Sequence, residues 1–462
     1  MPQEPSLRRT LSVRDLVVYG LLFIGPTAPM GVFGVLDAGS GGASALVFVV
    51  ATVAMGFTAW SYARMSRAVP RAGSVSAYAT AGLGRLPGFL AGWMASLDYL
   101  FIPAVAALFC GIATHSLVPA VPAWLATGAG ILLFTALNLA GVGVAARIGL
   151  VVLLVEVAVL LVFVVGAVVV LVHEGPSRGW LTPFTGTGGF APSGVLGAVS
   201  VAVLSFLGFD AIATFAEENT GEPRQVGRAV LFCLVLAGLL FVLQTYLADL
   251  LDDVSPAYLA AHPAEQGTAF YTLLRSAIGG WFGTTVSAVK AVGPVFSALV
   301  AQAAAGRLLY GMARQGHLPA WLARVDARTR TPRAAILLSA GATLVLAVWA
   351  ATRPDGLETL SSMVSVGALV AFVLLHASVV GYFAVRGASR AAGAGRRAAA
   401  VAVPVAGAAI IAALLVTASR LALVVAACWL ALGLLTALAR HFGRGRDRRA
   451  GAQTSEAPTA SI

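Results

Sequence analysis

Apolar residues along this chain neither alternate nor keep to one face of a helix. They run on in long blocks separated by short polar breaks. Read from the gaps between charges, the blocks lie at about 16–36, 43–63, 86–112, 121–143, 148–172, 190–215, 229–248, 281–306, 334–352, 359–385, 398–419 and 421–439. Each is roughly 19–27 residues, enough to cross a ~30 Å hydrocarbon core at ~1.5 Å per residue. Twelve blocks predict an all-α polytopic membrane protein with 12 transmembrane helices. The stretch between Asp98 and Arg147 carries no charge and is too long for one helix, so Pro119 and Pro122 mark the turn that divides it.

Composition agrees. Hydrophobic residues are 59% of the 462 and charged residues 11%, against roughly 25% charged in soluble domains; mean hydropathy is +0.90. The net charge of +11 does not mark a nucleic-acid binder, because the basic residues fall in short clusters between apolar blocks rather than in a basic domain. Cys110, Cys233 and Cys428 lie far apart inside apolar stretches, which leaves no disulfide framework or zinc site. No cofactor or metal is expected.

The arginines also set the orientation. With the N-terminus in the cytoplasm and the spans alternating, 25 arginines fall inside and four (Arg178, Arg275, Arg353 and Arg420) fall outside. That bias places both termini in the cytoplasm of a multi-pass cell-membrane protein. The block after Asp15 is of full spanning length and has no small-residue cleavage site, so it is no cleavable signal peptide. The predicted organisation is a cytoplasmic segment at 1–15, a transmembrane domain at 16–440 and a disordered cytoplasmic tail at 441–462.

Two blocks make poor continuous helices. The first contains Gly25-Pro26-Thr27-Ala28-Pro29-Met30-Gly31 at mid-depth, where two prolines remove backbone donors and clash with preceding carbonyls. The sixth contains Ser205-Phe206-Leu207-Gly208-Phe209-Asp210. A proline kink and a flexible glycine would account for each alone. Breaks five spans apart are what an inverted five-plus-five repeat of a secondary transporter produces.

Charges inside the blocks are costly and need a reason. Asp98 in span 3 and Asp210 in span 6 are the hardest to explain without a partner, a proton or a substrate. Glu156 lies nine residues into span 5. Glu217 and Glu218 lie towards the cytoplasmic end of span 6, where pairing with Arg224 or Arg228 would suffice. Lys290 is expected to snorkel to the outer surface, and His376 to be a hydrogen-bonded packing residue.

With these residues in place, the sequence resembles the amino acid–polyamine–organocation (APC) superfamily over about residues 12–440, and within it the putrescine importers. The resemblance is carried by Ser61-Tyr62-Ala63, Val69–Ser74 and Tyr78, by Gly92-Trp93 and Leu97–Pro103 in span 3, and by Ser205–Asp210 with Glu217-Glu218 in span 6. Arg307–Met312 with Pro319 and Thr331-Pro332, and Gly367–Phe372 in span 10, complete it. It implies the 5+5 inverted-repeat fold with broken helices 1 and 6, substrate held there against spans 3, 8 and 10, and import of an organic cation or amino acid driven by an ion gradient. Glu156 and Lys290 depart from the pattern.

Amino acid carriers of this architecture hold the substrate carboxylate on free amides at the span 1 break. Pro26 and Pro29 remove two such donors, leaving Thr27, Ala28, Met30 and Gly31. Asp98 and Asp210 supply anionic partners, Gly208 opens the span 6 break, and Tyr99, Phe206 and Phe209 offer aromatic faces to a cation. The expected substrate is therefore a small organic cation such as putrescine or a related polyamine, with an α-amino acid as the alternative. Span 8 has no close Ser/Thr pair in its inner half for sodium, and Glu156 on span 5, which packs beside span 1 in this fold, is the candidate proton carrier, so the expected coupling ion is H+. An intramembrane aspartyl protease is a remote alternative: neither aspartate stands in the Tyr-Asp or Gly-x-Gly-Asp setting of such enzymes. The substrate and the lipid bilayer are the expected partners.

Overall fold

The computed structural model describes residues 12–69, 74–140, 145–188, 191–210, 212–213, 220–314, 318–326, 331–386 and 394–455. Among these the elements are helices, with no strand. The sequence's span numbers carry over directly: span 2 is Ser44–Ala68, span 3 Arg85–Leu117, span 4 Ala123–Ala140, span 5 Ala145–His173, span 7 Pro223–Leu251 and span 8 Gly280–Arg314. Span 9 is Arg333–Ala351, span 10 Gly356–Val380, span 11 Ala394–Thr417 and span 12 Arg420–Ser455. Ten described helices are long and apolar enough to cross a membrane, or eleven if the bent pair of span 1 is taken as one span. Span 6 is described as the helix Pro192–Ala202, its 3-10 continuation Val203–Phe206, and residues 207–210 and 212–213 beyond it. Residues 211 and 214–219, with Glu217 and Glu218, lie outside the described residues, as do 70–73 of the quoted loop motif.

Span 1 divides where the prolines require it. Val13–Ile24 ends at Gly25, whose φ of 72° and ψ of 106° leave the helical region, and Pro29 opens the second helix, Pro29–Ser40, at an angle of 50° to the first. Pro29 is tolerated there because the first turn of a helix has no use for its missing N–H. Span 12 crosses as Arg420–Leu438 and stays helical to Ser455, past the point where the tail was expected to lose regular structure; alanine and arginine are good helix formers.

The packing has a numerical order. Span 2 packs along span 7, span 3 along span 8, span 4 along span 9, and the second half of span 1 against the described part of span 6. Each pair is five spans apart. Span 10 packs chiefly on spans 3 and 11, and is the most enclosed of the crossing helices, while span 12 is the least. Span 5 turns Leu161, Val165 and Val172 outward and span 9 turns Val345 outward, all largely exposed; such apolar rims suit lipid.

Candidate substrate and ion site

The two breaks meet. Gly208 has a φ of 114°, a conformation glycine adopts readily, and a methyl group there would sit 2.7 Å from Cβ of Phe23, two residues before Gly25. Gly31, after the span 1 break, faces the ring of Phe109 on span 3, which a methyl group would approach to 2.8 Å. Asp210 follows directly, buried, and its Oδ1 accepts from the Gly208 amide at 3.2 Å.

Asp98 is buried on span 3, close enough to Asp210 to feel its charge. Its Oδ1 has no hydrogen-bond partner among the described residues. Half-buried Tyr99 and fully buried Tyr62 also lie within electrostatic reach of Asp210. Span 10 comes in tightly here, since a methyl on Gly367 would stand 3.0 Å from Cβ of Leu97.

The aromatic candidates divide. Phe209 packs edge-on to Tyr62 at 5.8 Å and tilted against Phe372 at 5.9 Å, joining the tyrosines near Asp210. Phe206 instead packs on Phe241 at 5.0 Å and Phe48 at 6.1 Å. Val203–Phe206 winds as a 3-10 helix, and the Phe206 ring lies in the core between spans 2 and 7 rather than with the tyrosines near Asp210.

The amides of span 1 are also not as free as the sequence implied. Ala28 donates to the Gly25 carbonyl, Met30 to Thr27 and Gly31 to Ala28, at 3.0–3.2 Å. The prolines force tight turns, and the turns use the donors. Thr27 remains the candidate donor: it is fully buried, and its hydroxyl has no partner among the described residues. Gln244 on span 7, which the sequence reading passed over, donates to the Pro26 carbonyl at 3.0 Å, and its Oε1 is buried without a partner. An uncharged polar residue in an apolar block was the only signal for it.

Glu156 is buried on span 5 and faces the break from the other side. A methyl on Gly25 would lie 3.7 Å from one of its carboxylate oxygens, and a methyl on Gly293 of span 8 would lie 3.5 Å from the other. Lys290 does not snorkel to the surface as expected; it is 93% enclosed, with a relative exposure of 7%, and lies within electrostatic reach of Glu156. A buried ammonium is held by a nearby carboxylate more firmly than by an apolar rim. His376 is a packing residue, hydrogen-bonded to Ser61 at 2.9 Å and Thr58 at 3.3 Å on span 2.

Membrane-crossing helices paired five apart around buried carboxylates define a multi-pass membrane transporter rather than an enzyme. Residues 16–434 match the amino acid permease family, a branch of the APC superfamily, and the chain belongs to it. Among its relatives is the low-affinity putrescine importer PlaP of Escherichia coli K12, 29% identical over 93% of this chain and 93% of that protein. The branched-chain amino acid permease BcaP of Bacillus subtilis is 28% identical over 82% of this chain and 81% of its own length. Cationic amino acid transporter 4 of Mus musculus is 29% identical over 82% of this chain and 60% of its own.

Proposed function

We propose that the protein imports a small organic cation, a diamine of the putrescine class, across the cell membrane with a proton as the coupling ion. The observation that carries this reading is Asp98, a buried carboxylate with an unpartnered oxygen beside the charge of Asp210. Two neighbouring anions in a low-dielectric site are costly and are offset by a cation or a proton. The likeness to PlaP supports the diamine, and the use of the Ala28, Met30 and Gly31 amides in turns weakens the carboxylate subsite an amino acid would need. Tyr99, Phe209 and Tyr62 supply aromatic surface for the methylenes. Both termini are cytoplasmic in this reading.

The amino acid alternative is favoured by Thr27 and by the likeness to BcaP. Labelled putrescine uptake into proteoliposomes, with competition by diamines and by neutral amino acids, separates the two. Diamines displace the label if the proposal holds; displacement by neutral amino acids alone overturns it.

Glu156 is the proposed proton carrier, set between span 1 and span 8 with Lys290 as its counter-charge. Uptake is then abolished by a protonophore and indifferent to replacing sodium with choline. Loss of uptake on sodium removal overturns the coupling.

A further inference from the structure

Away from the breaks, at the end of the molecule where the arginine bias places the outside, lies a second buried charged cluster. Arg178, in the connection between spans 5 and 6, reaches inward with 8% exposure. Its guanidinium grips Asp37 with two bonds, at 2.6 Å and 3.2 Å, donates to Asp252 at 2.9 Å and to the Val254 carbonyl, and lies 3.9 Å from Asp249. Asp37 belongs to the second half of span 1, Asp249 to the last turn of span 7, and Asp252 to the residue just past it. The cluster thus ties the second half of span 1 to the end of span 7 through the connection between spans 5 and 6.

The charges do not balance. One guanidinium faces three carboxylates, two of them fully buried and the third 3% exposed. Asp249 uses Oδ2 to accept from the Ala45 amide at 3.3 Å, and its Oδ1 has no hydrogen-bond partner among the described residues. An uncompensated buried charge is strongly destabilising. A proton on one carboxyl removes that cost while leaving the two-bond Asp37–Arg178 contact intact.

We propose that Arg178 is a positioning residue for the second half of span 1, and that the Arg178–Asp37–Asp249–Asp252 cluster is a latch that binds a proton from the outside as it closes. The latch rests on the transport reading above, since it controls outer access to the site at the span 1 break. Burial pushes the Asp252 carboxyl up to about 7 in spite of Arg178. The sign follows: the closed form binds more protons than the open form between the usual carboxylate value and about pH 7, so closure is favoured as pH falls through that range and weakened as pH rises.

The other titratable groups around the cluster do not take its place. Asp253 reaches Asp252 only through its charge. Tyr246 of span 7 donates to the Trp180 carbonyl, and Tyr258 of the helix Pro256–Ala261 donates to Glu265. His262 is bonded to the Tyr258 carbonyl, and Glu174 is exposed. Span 6 as described, the first turns of span 2 and the short helix Thr182–Thr185 bring no charged side chain.

The test reads opening directly and needs no substrate. Ser40, buried at the end of span 1, is replaced by cysteine in the full-length protein with Cys428→Ser, in proteoliposomes. Labelling by a membrane-impermeant thiol reagent is normalised to the exposed position Glu174→Cys. The normalised rate should be about thirtyfold slower at about pH 5.5 than at about pH 8, the linkage factor for one proton bound near pH 7 in the closed form and at the usual carboxylate value in the open form. Asp249→Asn with Asp252→Asn should give slow labelling at both pH values, and Arg178→Met fast labelling at both, with Arg178→Lys restoring part of the pH response. A normalised wild-type rate that does not change with pH, or a double asparagine variant that keeps the wild-type ratio, overturns the latch. Putrescine uptake assayed in parallel keeps the two readings apart: pH-flat labelling with intact uptake removes the latch alone, and pH-dependent labelling without diamine uptake removes the substrate assignment alone.

Discussion

Asp37, Asp249 and Asp252 are gathered around Arg178, with oxygens 2.6–3.9 Å from its guanidinium. Asp98, buried to the same degree, sits beside the charge of Asp210 and keeps an oxygen without a partner. Both places put carboxylates where water cannot solvate them, and the penalty is of the same kind. In the first the chain supplies the cation itself, and the carboxylates serve to fix one element against another. In the second, in the proposed reading, the cation is cargo, so the site is unstable when empty and satisfied when loaded.

The largest effect should separate these two places by opposite signs. Asp98→Asn removes a buried charge and leaves the shape, so the purified protein should melt no lower than wild type while losing diamine uptake. Asp37→Asn takes the two-bond partner from Arg178 but leaves Asp249 and Asp252 around it, and should lower stability by about 1.5–3 kcal/mol, the usual worth of a hydrogen bond to a charged group. Melting curves and labelled uptake on the same preparations check both. A lower melting temperature for Asp98→Asn would show that Asp98 holds the fold together, and the contrast would collapse.

Glu156 and Lys290 form an intermediate case, with an anion and a cation both supplied by the chain near the span 1 break. Lys290→Met should cut uptake, because Glu156 is left without its counter-charge. The pair Lys290→Met with Glu156→Gln should recover diamine binding yet lose its dependence on the proton gradient. A double-mutant cycle on binding should give a coupling of about 1–3 kcal/mol. Additive single effects would place the proton elsewhere.

How far the sequence revealed this depends on which property carries each feature. Spans follow from apolar length and loop arginines, so the span 3–span 4 turn at Pro119 and Pro122 falls between Leu117 and Ala123 as expected. The break at Pro26 and Pro29 was legible because proline's backbone restriction is local. Asp98, Asp210 and Glu156 stood out as charges in apolar blocks. Arg178 did not, because a loop arginine on the outer side reads as solvated, and only the fold brings Asp37 and Asp249 to it from 141 and 71 positions away in the chain. Lys290 and Phe206 were placed on the right helices but pointed the wrong way. Facing depends on helix rotation and on the switch to 3-10 winding at Val203, which hydropathy alone does not specify. The spent amides of Ala28, Met30 and Gly31 were equally invisible, because they arise from turn geometry.

A finer contrast lies between the two phenylalanines of span 6. Phe209→Leu should weaken diamine affinity about three- to thirtyfold, the ~0.7–2 kcal/mol part of the range for a cation over an aromatic face. Phe206→Leu should leave affinity within about twofold of wild type and instead lower stability, since its ring packs between Phe48 and Phe241. Competition assays and melting curves on the pair decide this. Equal losses of affinity would return Phe206 to the site.

The smallest effect concerns an ion pair of the same residue types in the open. Arg353 and Asp355, in the turn before span 10, are joined at 2.9 Å, with side chains 46% and 42% exposed. The hydrogen bond from Arg353 holds the Asp355 carboxyl below the usual carboxylate value of 3.8. A depressed carboxyl contributes stability above its unfolded value and loses it as pH falls, so this pair weakens only in acid below about 3.8. Asp252 runs the other way, with the closed form gaining as pH falls through about 7. Water and salt screen an exposed pair, so Asp355→Asn should move the melting temperature far less than Asp37→Asn, and the difference should shrink further at high salt. Melting curves of both variants at low and high ionic strength make the comparison. A salt-insensitive loss at Asp355 as large as that at Asp37 would mean that burial is not what separates the two arginine pairs.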